Sequence, residues 1–122
     1  MKVALIGYGY WGINLAREIT KTDGLELVSI FDVDKSRIDE AKKLYNFEKV
    51  NSLDELFKLD FEAVFIATPP VTHYEVAKQA LLNNKHIFVE KPFTLNLEDA
   101  YELIELAEKK NLKYMVDHIF IF

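Results

Sequence analysis

Val3-Ala4-Leu5-Ile6-Gly7-Tyr8-Gly9-Tyr10-Trp11-Gly12 is the stretch whose reading decides the fold. Four apolar residues without polar alternation read as a strand buried on both faces. The run stops at Gly7, and Gly7 to Gly12 fits the pattern G-x-G-x-x-G. That pattern alone is common. Between a strand and a helix it becomes specific, because each glycine then has a task. Gly7 permits a tight turn, Gly9 lets a diphosphate approach the backbone where a Cβ would stand, and Gly12 lets the helix pack close to the strand. Residues 11–21 supply the helix, with Trp11, Leu15, Ala16 and Ile19 on one face. Its opening turn has no Ser, Thr, Asp or Asn before Asn14, whereas Asp34, Ser52, Thr72 and Asn96 are placed to cap the other helices. Its first N–H groups are therefore left for an anion, assisted by the helix dipole. A purely structural glycine turn is the alternative reading of the same residues.

Short apolar runs and amphipathic stretches alternate from there to the end. Leu25 to Phe31 reads as a second strand, 35–45 as a helix carrying Ile38, Ala41, Leu44 and Tyr45, and Lys49-Val50 as a short third strand. Ser52 with Glu55 forms a capping box for a short helix, and Thr72 with Glu75 another for a helix with Val76, Ala77, Ala80 and Leu81 inward. Ala63 to Ala67, His86 to Val89 and Lys113 to Val116 read as strands. Asn96 opens a longer helix to Lys110, acidic at its start and basic at its end. Strands and helices in alternation imply a parallel sheet covered on both faces. With the glycine turn, the expected fold is a Rossmann-type doubly wound parallel sheet of about six strands in a single domain spanning 1–122.

In such a sheet ligands bind beyond the carboxyl ends of the strands. Unusual residues gather there: Gly7 after the first strand, Asp32 after the second, Thr68-Pro69-Pro70 and then His73 after the fourth, Glu90-Lys91-Pro92 after the fifth, and Asp117-His118 after the last. Asp32 stands 20 residues beyond Gly12, where an acid can accept bonds from both ribose hydroxyls and repel a 2′-phosphate. Asp34 is better placed to cap the next helix, which leaves Asp32 free. The cofactor implied is NAD, with NADP less favoured, although Lys35 and Arg37 lie close enough to attract a 2′-phosphate. Lys91, restricted to extended geometry by Pro92, could take a hydroxyl proton or polarise a substrate oxygen. A solvated lysine in a turn is the stronger reading of that local sequence. His73, in the first turn of its helix, is expected neutral, and either touches a ligand or packs on the sheet. Tyr10 and Trp11 could wall a nicotinamide pocket, but the helical face carrying Trp11 points to core packing. His86 begins a strand at the opposite edge and reads as structural.

Composition narrows the classes. The 122 residues contain no cysteine, which excludes disulfide frameworks and thiolate metal sites. Three scattered histidines suggest no metal motif. A net charge of -5 without a basic stripe argues against nucleic acid as partner. The N-terminal apolar run is too short for a signal peptide, and no stretch is long enough to span a membrane, so a cytoplasmic protein is expected. The apolar tail Ile119-Phe120-Ile121-Phe122 should pack on something, most simply a further domain.

Taken together, the glycine turn, Asp32, Ala67-Thr68-Pro69-Pro70 with His73, and Glu90-Lys91-Pro92 resemble the N-terminal domain of the glucose–fructose oxidoreductase / inositol dehydrogenase / MocA family almost end to end. The resemblance implies NAD- or NADP-dependent dehydrogenation of sugars, cyclitols and related polyols. The Tyr10-Trp11 form of the turn is similar to members acting on nucleotide-linked sugars. The resemblance also implies that Lys91 binds substrate and moves its proton, which reverses the local reading. It implies that Thr68-Pro69-Pro70 and Glu90 line the cofactor site, and that the peptide before Pro92 is often cis. Family members continue into a second domain carrying most substrate contacts and much of a homo-oligomer interface, and that domain is absent from this chain. Asp117, a small residue in many relatives, departs from the pattern. Two other readings compete: a non-enzymatic NAD-sensing module, for which Lys91 would be superfluous, and a small stand-alone reductase, which the apolar tail disfavours.

Overall fold

The computed structural model describes residues 1–116. Strand β1 (Lys2–Ile6) leads through the glycine turn into α1 (Tyr10–Lys21). Then come β2 (Glu26–Phe31), α2 (Lys35–Leu44), α3 (Leu53–Phe57) and β3 (Ala63–Ile66). A single 3-10 turn (Pro70–Thr72) precedes α4 (His73–Leu82), followed by β4 (His86–Val89), α5 (Leu97–Lys109) and β5 (Tyr114–Val116). All five strands pair in parallel, in the order β2-β1-β3-β4-β5. The chain steps outward from β1 to β2, then returns to lay β3 on the other side of β1. That reversal opens a crevice at the carboxyl ends of β1 and β3.

Strand side chains alternate, so each face of the sheet has its own core. Val3 and Leu5 join Leu15, Ala16 and Ile19 of α1 and Ile38 and Ala41 of α2. Ala4 and Ile6 join Leu56 of α3, Val76 and Leu81 of α4, and Leu103 and Ala107 of α5. The β1–α1–β2 and β3–α4–β4 crossovers run in opposite directions from the centre, and right-handed crossovers then place their helices on opposite faces.

Three expectations are corrected. Lys49-Val50 forms no strand: Glu48 N–H donates to the Val28 carbonyl (3.0 Å), but Ser52 starts the next helix before a ladder develops, so the sheet has five strands among the described residues. Leu44 faces solvent, because α2 ends there and only Ile38 and Ala41 lie on its buried stripe. Thr72 does not cap α4. The 3-10 turn winds directly into the helix, and the Thr72 hydroxyl instead bonds Thr68 Oγ1 (2.7 Å) and the Pro69 carbonyl (2.6 Å).

The other caps hold. Asp34 accepts from Ser36 N–H (3.0 Å), Ser52 from Glu55 N–H (3.1 Å) and Asn96 from Asp99 N–H (2.9 Å). The Ser52 box is not reciprocal, since Glu55 accepts instead from Asn51 N–H (3.0 Å). Asp117, His118 and the apolar tail lie outside the described residues. Among those described, no helix is long and apolar enough to cross a membrane.

Candidate cofactor site

Each strand of the crevice extends its ladder one residue past its end. Gly7 N–H donates to Phe31 O (2.7 Å), Ala67 N–H to Ile6 O (2.8 Å) and Glu90 N–H to Ile66 O (3.0 Å). The residues singled out from sequence therefore start from backbone fixed by the sheet.

The three glycines are required for different reasons. Gly7 has φ +101°, and a Cβ there would lie 2.6 Å from the Ala67 carbonyl oxygen. Gly12 sits so close to the turn that a Cβ would fall 2.0 Å from Gly7 O. Its closest fit is thus to the glycine turn itself, and it does not line the crevice. A Cβ on Gly9 would meet only the flexible Arg37 guanidinium, at 3.4 Å. Among the described residues no backbone crowds Gly9, so its bareness serves the open side. Gly9 is also the N-cap of α1, and among the described residues no side-chain cap bond is made there. Backbone amides at a helix start, beside a glycine on an open cavity, are placed to receive an anion.

That cavity, about 480 Å³, is lined by Gly7, Gly9, Tyr10, Trp11, Asp32, Thr68 and Pro69, all singled out from sequence. Ile6, Phe31, Val33, Arg37, Leu53, Ala67, Pro70, Thr72 and Val76 complete its wall. Trp11 does not enter the core: it is 58% exposed and meets the Tyr10 ring edge-on at 5.0 Å. It occupies the first turn of α1, where the helix still overhangs the crevice, and the buried stripe begins at Gly12.

Asp32 is 8% exposed and is not free. Its Oδ2 accepts from Tyr8 N–H (2.7 Å) and its Oδ1 from Asp34 N–H (2.8 Å). Arg37 Nη1 stands 3.5 Å from Oδ2. The carboxylate therefore braces the glycine turn, and a carboxylate oxygen can still accept a second bond on its other lone pair. Tyr8, which the sequence reading passed over, anchors the turn from below: its side chain is buried among Leu15, Ile38 and Ala41. Burial, with lesser effects from Tyr45 and Glu40, raises the pKa of its phenol.

His73 is 1% exposed and does not line the cavity. Nδ1 lies 2.7 Å from the Pro92 carbonyl oxygen and Nε2 2.7 Å from that of Thr68. Both partners are carbonyl oxygens and only accept, so a ring nitrogen bonded to either one donates to it. Glu90 and Lys91 follow β4 at the same edge without lining the cavity, Lys91 is exposed, and the Lys91–Pro92 peptide is cis. His86 lies at the opposite edge, where Nδ1 accepts from Lys113 N–H (2.9 Å).

An uncapped helix start, a bare glycine and a rim carboxylate at the switch point match what known proteins use to hold a dinucleotide. A family model described as "Oxidoreductase family, NAD-binding Rossmann fold" matches residues 1–118. The chain belongs to this family. Its NAD-binding domain is similar to that of UDP-N-acetylglucosamine 3-dehydrogenase from Acidithiobacillus ferrooxidans, whose solved structure is 33% identical with a TM-score of 0.90, covering 98% of this chain and 38% of that one. It is also similar to an NAD-binding protein from Listeria innocua (30% identity, TM-score 0.85, 95% and 34% covered). A third relative is 2,7-anhydro-N-acetylneuraminate hydratase from Escherichia coli (30% identity, 97% and 32% covered). The chain spans about a third of the length of these relatives. What the sequence reading missed in this NAD-binding domain is mostly apolar wall, such as Val33 and Leu53. Neither carries a chemical signature, and only the crevice reveals them.

Proposed function

We propose that this domain serves a dehydrogenase that moves hydride between NAD(H) and a hydroxyl-bearing carbon of a sugar, nucleotide-linked sugar or cyclitol, with Lys91 handling the substrate proton. The observation that carries the reading is the sharing of one edge by the α1 amides, Asp32 and Lys91. A single imidazole bridges the Thr68 wall of the cavity to the residue after Lys91. The relative named as acting on UDP-N-acetylglucosamine supports the substrate class.

The bound cofactor supplies the hydride acceptor or donor. The amides at Gly9, Tyr10 and Trp11 would hold its diphosphate, Asp32 its adenosine ribose, and Thr68 and Pro69 the wall beside it. Lys91, as an amine, takes the hydroxyl proton when the alcohol is oxidised; as an ammonium it returns that proton when the ketone is reduced. Arg37 beside Asp32 lets NADP compete, so the preference for NAD is one of degree. Since Lys91 is exposed in this chain, we assign the burial of its amine, most substrate contacts and a homo-oligomer interface to a second domain. We place the enzyme in the cytoplasm, free of nucleic acid.

The test has two parts. NADH and NADPH are titrated by fluorescence into the chain, with NADH expected to bind more tightly. Turnover is then measured with NAD⁺ and a panel of sugars, nucleotide-linked sugars and cyclitols, for the natural gene product and Lys91→Ala. A variant that binds NADH normally and loses at least a hundredfold in kcat supports the reading; full turnover without Lys91 refutes it.

A further inference from the structure

His73 is a polar side chain in a fully buried position, and the cavity does not use it. Its ring spans two loops. Thr68 belongs to the cavity wall after β3, and Pro92 follows Lys91 after β4. The two short contacts, 2.7 Å each, reach carbonyls five and nineteen residues away in sequence. The surroundings of both loops are already fixed. The Thr72 hydroxyl ties the Thr68 side chain to the Pro69 carbonyl, and Phe93, next to Pro92, stacks on Tyr114 at 6.4 Å. The Lys91 turn is thus pinned to the core on one side and to the cavity wall on the other, and His73 alone supplies the second pin among the contacts described.

We propose that His73 is a positioning residue, a two-armed clamp that fixes the Lys91–Pro92 turn against the Thr68–Pro69 wall. Seating of the cofactor and placement of the Lys91 amine are then set together. The proposal rests on the reading of Lys91 as the proton-handling group. An apolar residue of similar size would fill the space but leave both carbonyls without a donor, which is costly in a buried position.

Two variants separate the arms. His73→Gln brings its amide nitrogen near the place of Nε2 and keeps the Thr68 contact; His73→Asn brings it near Nδ1 and keeps the Pro92 contact. Hydrogen exchange of the chain is followed by mass spectrometry, with and without saturating NADH. His73→Gln is expected to speed exchange over residues 90–95 about tenfold, the loss of roughly one hydrogen bond. It should leave NADH affinity within about threefold and abolish the slowing of that segment by NADH. His73→Asn is expected to loosen residues 67–72 and weaken NADH about tenfold. In the gene product, His73→Gln should lower kcat about tenfold with KM for NADH nearly unchanged, a split that general loosening of the fold would not produce. Wild-type exchange over 90–95 in His73→Gln overturns the clamp. Failure of the wild type to bind NADH, or full turnover by Lys91→Ala, instead overturns the proposed function, and the basal exchange of the variants still decides the clamp.

Discussion

Gly9 and Gly12 stand three residues apart in one motif, and their alanine variants should fail in different ways. In Gly12→Ala the new Cβ would lie 2.0 Å from Gly7 O and 2.7 Å from Gly7 C, both backbone atoms that cannot rotate aside. Restoring an ordinary contact lifts the start of α1 by about 1 Å. The lift partly unpacks Leu15, Ala16 and Ile19, all buried beneath the helix. Overpacking of this kind costs about 1–3 kcal/mol, and often more against fixed backbone. Alanine returns up to about 1 kcal/mol through helix propensity. A net loss of about 2 kcal/mol is expected. For 122 residues the unfolding entropy is about 0.26 kcal/mol per kelvin, so Tm should fall by about 8 °C. In Gly9→Ala the Cβ meets only Arg37 Nη1 at 3.4 Å, a flexible group, and φ is -87°, open to any residue. The loss of a glycine N-cap costs about 0.5 kcal/mol, or about 2 °C. On the proposed reading, the methyl group nevertheless stands where the diphosphate approaches the α1 amides. Losing one charge-assisted bond there weakens NADH at least tenfold. Thermal unfolding by circular dichroism and fluorescence titration with NADH measure the two effects. A Gly12→Ala protein melting within about 2 °C of wild type would refute the packing argument. A stable Gly9→Ala protein binding NADH as wild type would refute the anion site.

Asp32→Ala should do more than change cofactor preference: it strips the acceptor from the Tyr8 and Asp34 amides. A stability loss of about 2–3 kcal/mol in urea melts is expected alongside a shift toward NADPH, with Arg37 left facing the cavity. Asn96→Ala removes the N-cap bond of α5 and should cost about 1 kcal/mol in the same assay, with NADH affinity unchanged. Bonds from Lys78 and then Tyr74 hold the Glu102 carboxyl below its usual range. A carboxyl depressed in the folded state stabilises above its unfolded pKa and loses that contribution as pH falls through the folded value. Glu102→Gln should therefore flatten the acid limb of a Tm-against-pH curve below about pH 4.5, and leave the curve near neutrality parallel to that of wild type.

The fold was legible wherever local pattern and tertiary demand agree. Val3 to Ile6, Ala63 to Ile66 and the Val76–Leu81 stripe were readable because burial on both faces of a sheet, or one face of a helix, leaves an unambiguous apolar period. The pattern misled at element ends. Trp11 has the right spacing for the buried face of α1, yet the first turn of that helix hangs over a crevice, a fact of topology and not of periodicity. Thr72 has a good capping pattern, but Pro70 starts a 3-10 turn that takes the helix past it. Gly7, Gly9, Asp32 and the Thr68–Pro69 segment stood out through their chemistry and line one cavity, whereas Lys91 stood out the same way and lies outside that lining. What remained hidden is how those parts are held. The bracing of the turn by Asp32, the burial of Tyr8 and the bridge through His73 all join residues distant in sequence, and a single sequence carries no record of such pairings.

These hidden contacts matter because of what they remove from the cost of binding. A loop that must be ordered around a ligand subtracts its ordering entropy from the affinity. Here the ladder bonds from Gly7, Ala67 and Glu90 extend the sheet to the rim of the crevice. Asp32 locks the turn between Gly7 and Gly9, and Thr72 locks the Thr68–Pro69 wall. The diphosphate site proposed on α1 would thus be preformed, and little of the binding energy would be consumed in assembling it. The exposed amine of Lys91 is the exception: its backbone turn is fixed, but its side chain is not enclosed. Cofactor binding should therefore be a property of this domain by itself, while the proton transfer proposed for Lys91 would need a surface that closes over it, and the two should be lost separately.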